Sequence, residues 1–248
     1  MRLFLCFAFF LMALLPASRA TADGLVFYTE NYPPYSYKDD ISGELQGIAV
    51  DIVDDIIKRT GFKTKIQMVP WKRGYETTLS QKNTCLFATG RTKERENLFK
   101  WVTPFTEVSL VLFARKDREI KINMLEEARE YRIGGYLGDA ASDYLIQQNI
   151  AVETVAKDEF NLRKLQSGRI DLWATGELAG LKQADQAGIE NINKVFTLFS
   201  IPGGIACNIH TDEIILERMR DELAVLYKEG VIAKIYHSYM PDLSVPGS

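Results

Sequence analysis

The stretch "GIAVDIVDDIIKRTGFKTKIQMVP", residues 47–70, carries two hydrophobic patterns in succession. From Ile48 to Ile57 the apolar side chains recur at helical spacing, and Gly61 follows where helices commonly end in a left-handed residue. The end of the stretch is a short strand-like run that stops at a proline. Because another strand-like run, "GLVFYTE" (24–30), precedes it, the local order is strand, helix, strand, which predicts a parallel sheet with covering helices.

The alternation continues along the chain. "WKRGYETTLSQK" and "CLFATG" are the next predicted helix and strand, and after the long strand "VSLVLFARK" the pattern restarts. We therefore predict an α/β protein with two lobes: lobe 1, residues 24–108 plus 202–240, and lobe 2, residues 110–199. Open α/β sheets bind ligands at the carboxyl ends of their strands, so a ligand cleft between the lobes is expected.

The amino terminus has the organisation of a secretory signal peptide. Met1 and Arg2 precede an apolar run that ends at Pro16, which is shorter than the roughly 20 residues of a membrane span. Small residues at Ser18 and Ala20 then suit cleavage by a signal peptidase. We predict that residues 1–20 are removed and that the mature chain is periplasmic; an uncleaved membrane anchor is the alternative.

The charge balance excludes one class of partner. Loss of Arg2 and Arg19 with the signal peptide lowers the basic count from 30 to 28 against 33 acidic residues, a net charge of −5. Non-specific binding of nucleic acid needs a basic face, so no nucleic-acid partner is expected.

The remaining cysteines and histidines are few. Cys85 and Cys207 lie in short apolar runs, and in an oxidising compartment they either form a disulfide or remain as buried thiols. His210 and His237 are far apart and have no other ligand types at metal spacing, so we expect no metal site and no cofactor.

The turn "GRTKEREN" directly after "CLFATG" contains a concentration of charge. Thr92 is the predicted N-cap of a helix, whose first backbone N–H groups would favour an anion. Arg91 and Arg95 add two guanidinium groups, which suit a carboxylate in a two-point contact. Glu94 and Glu96 either pair with these arginines or balance them on the solvent side. The turn is the candidate binding site for an acidic ligand group.

Three runs, "GIAVDIV", "TGRTKEREN" with "FKWVTPF" after it, and "LQSGRIDLWA", resemble the bacterial extracellular solute-binding proteins of family 3, the periplasmic receptors of polar amino-acid importers. The resemblance covers nearly the whole chain after residue 20. It implies a type II, two-lobe Venus-flytrap fold that closes on a small ligand. It also implies an inner-membrane ABC permease or a sensor as partner, and we expect a monomer.

The resemblance implies roles for individual residues of lobe 1. Arg95 matches the arginine that grips the α-carboxylate of an amino-acid ligand. Tyr35 and Trp71 match aromatic positions that wall the ligand, and Ala88 and Gly90 match a turn whose backbone touches it.

Lobe 2 departs from the family pattern. Asp139 stands where the family usually has Ser or Thr, and it is either a helix N-cap or a ligand contact. Gly176, next to Thr175 and Glu177, stands where the family has an aspartate that pairs with the ligand ammonium. The predicted ligand contacts are Glu30, Tyr35, Trp71, Arg73, Ala88, Gly90, Arg91, Arg95, Asp139 and Thr175.

Some of these residues have a structural alternative. Arg91 and Arg73 are either ligand contacts or clamps, and for Arg91 the predicted clamp partners are Glu30 and Glu177. The predicted function is capture of a small carboxylate-bearing ligand without catalysis. The alternative is a secreted dehydratase of the same fold that acts on a prephenate-like acid, for which Asp139, Glu30 or Glu177 would be the general acid.

Overall fold

A computed structural model describes residues 24–39 and 41–240. The predicted signal peptide and its cleavage site lie outside these residues. Within them, no helix is long and apolar enough to cross a membrane.

The predicted alternation of strands and helices is confirmed. Ten strands occur: β1 Leu25–Thr29, β2 Tyr37–Lys38, β3 Leu45–Gln46, β4 Thr64–Met68, β5 Thr84–Gly90, β6 Phe99–Ala114, β7 Ile133–Tyr136, β8 Val152–Val155, β9 Leu172–Gly176 and β10 Asn193–Asn208. Seven α-helices accompany them in the described part of the chain: α1 Ile48–Thr60, α2 Trp71–Ser80, α3 Ala140–Gln147, α4 Glu159–Gln166, α5 Glu177–Gln186, α6 Glu213–Lys228 and α7 Val231–Tyr239.

Helix α1 shows how the sequence pattern determines the local structure. Its apolar positions, among them Ile48, Ile52 and Ile56, are fully buried on one side. The helix ends at Gly61, which has the left-handed backbone (φ 69°) and donates its N–H to the Ile57 carbonyl. Glycine adopts this conformation without strain, so the predicted C-cap is confirmed.

Eight strands form one sheet in the order β4-β1-β5-β10-β6-β9-β7-β8. The outer pairs, β1 with β4 and β5, and β7 with β8 and β9, are parallel as predicted. The centre differs, because β10 runs antiparallel to both β5 and β6, and β6 is antiparallel to β9.

Strands β6 and β10 are each 16 residues long and pair along their whole length. The sequence predicts two strands in the region of β10, separated at Pro202, but this residue lies inside one strand, opposite Glu107 of β6. The register between the two strands shifts shortly after it, between Gly203 and Ile205.

The buried side chains form separate clusters. The largest cluster draws on residues of 25–105 and 205–236, and two others draw on residues between 110 and 201. The long strands β6 and β10 connect these clusters, since their two ends belong to different ones. Cys85 on β5 and Cys207 on β10 form a disulfide inside the largest cluster, which settles the choice between a bridge and free thiols.

One predicted helix is absent. Residues 93–98 form consecutive turns, in which Arg95 donates its backbone N–H to Thr92 and Leu98 donates to Arg95. The prediction that Thr92 caps a helix is therefore wrong. Only eight residues separate β5 from β6, and the chain must return to the sheet within that length.

Candidate functional site

Residues of both predicted lobes line a small cavity at the ends of β1, β5 and β7. Its volume is about 40 Å³, and it is lined by Glu30, Tyr32, Trp71, Ala88, Gly90, Arg95, Val108, Leu110, Tyr136, Asp139, Ala140 and Ile201. Six of the ten predicted ligand contacts are in this lining: Glu30, Trp71, Ala88, Gly90, Arg95 and Asp139. Their position follows from the fold, because the carboxyl ends of parallel strands meet at one edge of the sheet.

Two open grooves flank this central cavity. One, of about 580 Å³, shares Tyr136 with it and is bordered by Lys38, Asp158 and Arg163. The other, of about 460 Å³, shares Arg95 with it and runs past the charged turn toward α3. The central cavity is thus the narrow middle of a cleft that crosses the molecule.

Arg95 is held firmly within the central cavity. Only 6% of it is exposed, and its guanidinium lies 5.2 Å from the ring centre of Trp71 and 5.4 Å from that of Tyr75. Nη2 donates to the carbonyl of Gly138 across the cleft at 3.1 Å, and the nearest carboxylate, of Asp143, is 3.9 Å away. Contact with these two neighbouring rings restrains the position of the guanidinium beside the cleft.

Two carboxyl groups face the same cavity without a full set of partners. Glu30 is 7% exposed, and its Oε2 has no hydrogen-bond partner. Asp139 stands at the N-cap position of α3, yet its side chain makes no capping bond, and its Oδ2 is also unpartnered. Burial raises the pKa of Glu30 to about 8 and that of Asp139 to about 7; the charge of Asp158 adds to both shifts, and Arg95 opposes them.

Asp158 lies behind this site in a dense hydrogen-bond network. Its carboxylate accepts from Trp173 Nε1 at 2.8 Å, from Thr175 Oγ1 at 2.7 Å, from Asn161 at 3.2 Å and from Gln183 at 3.4 Å. Burial raises its pKa, and these four donors oppose the rise by stabilising the ionised form. The hydroxyl of Thr175 is therefore committed to Asp158, and Thr175 does not line the central cavity.

The other predicted contacts lie elsewhere. Tyr35 is buried in the largest core cluster, with its hydroxyl on the Glu107 carbonyl at 3.3 Å. Arg73 is exposed on α2. Arg91 pairs with Glu96, with Nε 2.6 Å from Oε2.

The clamp partners predicted for Arg91 are therefore wrong. Neither Glu30 nor Glu177 contacts it, since Glu177 pairs with Lys194 at 2.6 Å. Arg91 still borders the 460 Å³ groove beside Arg95, at the mouth of the cleft.

Direct contacts join the two sides of the cleft. Trp71 donates its indole N–H to the Gly138 carbonyl at 2.7 Å and its backbone N–H to the Tyr136 hydroxyl at 3.1 Å. Gly176 donates its backbone N–H to the Tyr32 hydroxyl at 2.9 Å. The conformation is consequently a closed one.

Comparison with known proteins shows which family has this architecture. The model of a family described as bacterial extracellular solute-binding proteins, family 3, matches residues 25–242. The chain belongs to this family. Among curated relatives, the L-cystine-binding protein TcyJ of Escherichia coli (strain K12) is 25% identical over 213 residues, which cover 84% of this chain and 79% of that protein. The ABC transporter arginine-binding protein 1 of the same strain is 24% identical over 226 residues, with coverage of 85% and 87%.

Solved structures of other proteins have the same fold as this chain. A histidine kinase sensor domain with similarity to periplasmic binding proteins has a TM-score of 0.82 at 20% identity, covering 92% of this chain and 99% of the other. An ancestral arginine-binding protein bound to arginine has a TM-score of 0.78 at 23% identity, covering 89% and 99%. The predicted two-lobe, type II fold is confirmed by these similarities.

The raised pKa of Glu30 makes stability depend on pH. Between its ordinary value of 4.5 and about 8, the folded protein keeps a proton that the unfolded chain releases. The free energy of unfolding therefore falls as the pH rises through this window, by at most about 1.4 kcal/mol per unit. Between pH 5 and pH 8, the free energy of unfolding of Glu30→Gln should fall by about 1–4 kcal/mol less than that of wild type. Urea unfolding at these two pH values is the measurement. Glu44→Gln, at an exposed glutamate, is the control; equal losses in wild type and Glu30→Gln would contradict this account.

Proposed function

We propose that this chain captures a small amino-acid-like ligand that carries a carboxylate and at least one cationic group. The observation that carries the proposal is the opposition of charges in the central cavity. Arg95 lies on one side, and Glu30 and Asp139, each with an unpartnered carboxylate oxygen, line the same space. The named ligands of two relatives, L-cystine and arginine, have both kinds of group.

Electrostatics favours a ligand of mixed charge over a simple anion. Three buried carboxyl groups, Glu30, Asp139 and Asp158, influence one another in this region, and Arg95 is the cation that offsets them. A ligand ammonium or guanidinium would supply donors to the free oxygens of Glu30 and Asp139 and would favour their ionised forms. A ligand carboxylate would bind Arg95, whose positive charge otherwise interacts with carboxyl groups of the protein.

The dimensions of the cavity support a hinged mode of binding. A space of about 40 Å³ holds on the order of three water molecules, so an amino acid enters only when the two sides separate. We infer that the predicted lobes, residues 24–108 with 202–240 and residues 110–199, move as units. The separate core clusters support this division, and β6 and β10, the only long connections described, would bend near Ser109 and Ser200, whose hydroxyls are 2.9 Å apart.

Export and delivery complete the proposal. The family is extracellular by description, and we infer that the chain is periplasmic after loss of residues 1–20, which N-terminal mass analysis of exported protein tests. The partner is an ABC permease or a sensor. The sensor is included because the fold is similar to that of a histidine kinase sensor domain. We infer binding without catalysis and a monomer, because the named relatives are binding proteins.

Titration calorimetry with purified protein tests this function. We expect L-arginine or L-cystine to bind with micromolar or tighter affinity, and glutarate, which has carboxylates but no ammonium, to bind far more weakly. Saturation should reduce the radius of gyration in solution scattering, and the ligand should be recovered chemically unchanged. Tight binding of glutarate would refute the cationic requirement, and conversion of the ligand would favour the dehydratase alternative.

A further inference from the structure

Tyr32, in predicted lobe 1, contacts the opposite side of the cleft. Its backbone N–H donates to the Ser36 carbonyl at 2.6 Å, which fixes the loop after β1, and its ring stacks on Tyr35 at 6.0 Å between centroids with a 15° interplanar angle. From this support the hydroxyl accepts the backbone N–H of Gly176 at 2.9 Å. Burial raises the pKa of Tyr32 well above its ordinary value, so the hydroxyl keeps its proton at neutral pH.

The backbone of Gly176 does not itself require glycine. Its φ of −70° and ψ of 137° are available to every residue, and it occupies the N-cap position of α5, where Ser, Asp, Asn and Thr are preferred. The requirement is one of space. A Cβ at position 176 would lie 2.4 Å from the Tyr32 hydroxyl oxygen and 3.4 Å from a methyl carbon of Val108. The absent side chain therefore allows the close approach of the tyrosine.

We propose that Tyr32 and Gly176 together hold the cleft closed and limit the space for the ligand, with the tyrosine hydroxyl docking on bare backbone at the α5 side of the central cavity. This inference rests on the proposed function, because it concerns the same cleft. The ligand class it admits is an amino acid whose carboxylate and cationic groups extend along the line from Arg95 to Glu30. Groups that branch toward α5 meet the tyrosine ring.

The pair also contributes to closure. Tyr32 and Gly176 belong to different predicted lobes, so their hydrogen bond exists only while the cleft is closed. An interaction made in one of two states shifts the equilibrium toward that state by its own free energy. Ligand affinity should therefore fall by about the same factor when the bond is removed, even though neither atom needs to touch the ligand.

Calorimetric titration with L-arginine and L-cystine tests the pair. We expect Tyr32→Phe to bind about 2- to 10-fold more weakly, the worth of one hydrogen bond. Gly176→Ala should bind roughly 5- to 150-fold more weakly, because the added Cβ cannot fit beneath a ring that is held by Tyr35. Tyr32→Ala should remove the clash, so that Tyr32→Ala/Gly176→Ala binds as Tyr32→Ala does. Tyr227→Phe, which loses a hydroxyl contact to Pro104 far from the cleft, is the control.

Two results would overturn the proposal: wild-type affinity in Gly176→Ala, or simple additivity of the two alanine substitutions. A second measurement does not depend on the ligand. In hydrogen exchange, the Gly176 amide of wild type should be protected and should exchange about 2- to 10-fold faster in Tyr32→Phe, while the Trp173 amide is unchanged. If the Gly176 amide of wild type is unprotected, the proposed contact between Tyr32 and Gly176 is wrong. If wild type protects this amide but binds neither L-arginine nor L-cystine, only the proposed ligand class is wrong.

Discussion

Arg95→Ala should weaken ligand binding by about 30-fold to several-thousand-fold. Truncation of one partner of a buried charge pair costs about 2–5 kcal/mol, and each 1.4 kcal/mol or so is a factor of ten in affinity. The upper part of this range is expected here, because Arg95 is 6% exposed and packs against the rings of Trp71 and Tyr75. The ligand carboxylate would face Glu30 and Asp139 with no compensating cation.

A conservative variant separates charge from geometry. Arg95→Lys keeps the positive charge but has no planar fork, so its affinity should fall between those of wild type and Arg95→Ala. Arg91→Ala should cost less than Arg95→Ala, since Arg91 is engaged with Glu96 at the mouth of the cleft; a comparable loss would indicate a second acidic group on the ligand. Arg218→Ala, on the exposed face of α6, is the matched control.

Calorimetry on wild type and the four variants, with whichever amino acid wild type binds, is the measurement. Thermal unfolding of the empty variants shows whether each is folded, and we expect melting temperatures close to that of wild type. If Arg95→Ala binds with wild-type affinity, Arg95 is a structural clamp for the Gly138 carbonyl and does not bind the ligand carboxylate.

Most of the fold could be predicted because its signals are local. The helical period of α1 and the glycine after it depend on a few neighbouring residues, and the same holds for the strands on either side. The centre of the sheet could not be predicted so well. Pro202 and Gly203 are breakers by type, yet pairing with the distant strand β6 maintains β10 through them. A tertiary contact outweighs local preference at this point.

The same distinction applies to the candidate site. Glu30, Gly90 and Asp139 are adjacent to strand ends, and topology alone brings them together. The direction of a side chain is harder to predict. Arg73 is two residues after Trp71 on α2, a rotation of about 200° around the helix, so the two residues lie on opposite faces.

Asp158 is one of the residues that the sequence analysis missed. It follows the predicted strand "AVETVA" and precedes α4, as Asp139 precedes α3, so a comparison of strand ends would have drawn attention to it. Nothing in its immediate sequence shows that four donors, among them Trp173 and Thr175, converge on its carboxylate. That network requires β9 and α5 to be in place.

Removal of the disulfide is expected to have the second large effect, on stability rather than binding. Cys85 and Cys207 are 122 residues apart and both fully buried. Cross-linking a loop of about 100 residues stabilises a protein by roughly 4.7 kcal/mol in the chain-entropy account, and loss of a native disulfide typically costs about 2–5 kcal/mol. Cys85→Ala/Cys207→Ala should therefore melt about 4–20 °C lower, at about 2–4 °C per kcal/mol for a chain of this size.

The position of the bridge explains why binding should be spared. It joins β5 to β10 inside the largest core cluster, and the loop it closes contains the whole of predicted lobe 2. Neither sulfur lines the central cavity. The double variant should thus retain wild-type affinity within about threefold at a temperature where it is folded. Wild type treated with a reductant should melt like the variant, and the variant should not respond to reductant. The contrary result would come from alkylation of unfolded, unreduced protein that lacks residues 1–20. If two thiols react, the bridge does not form.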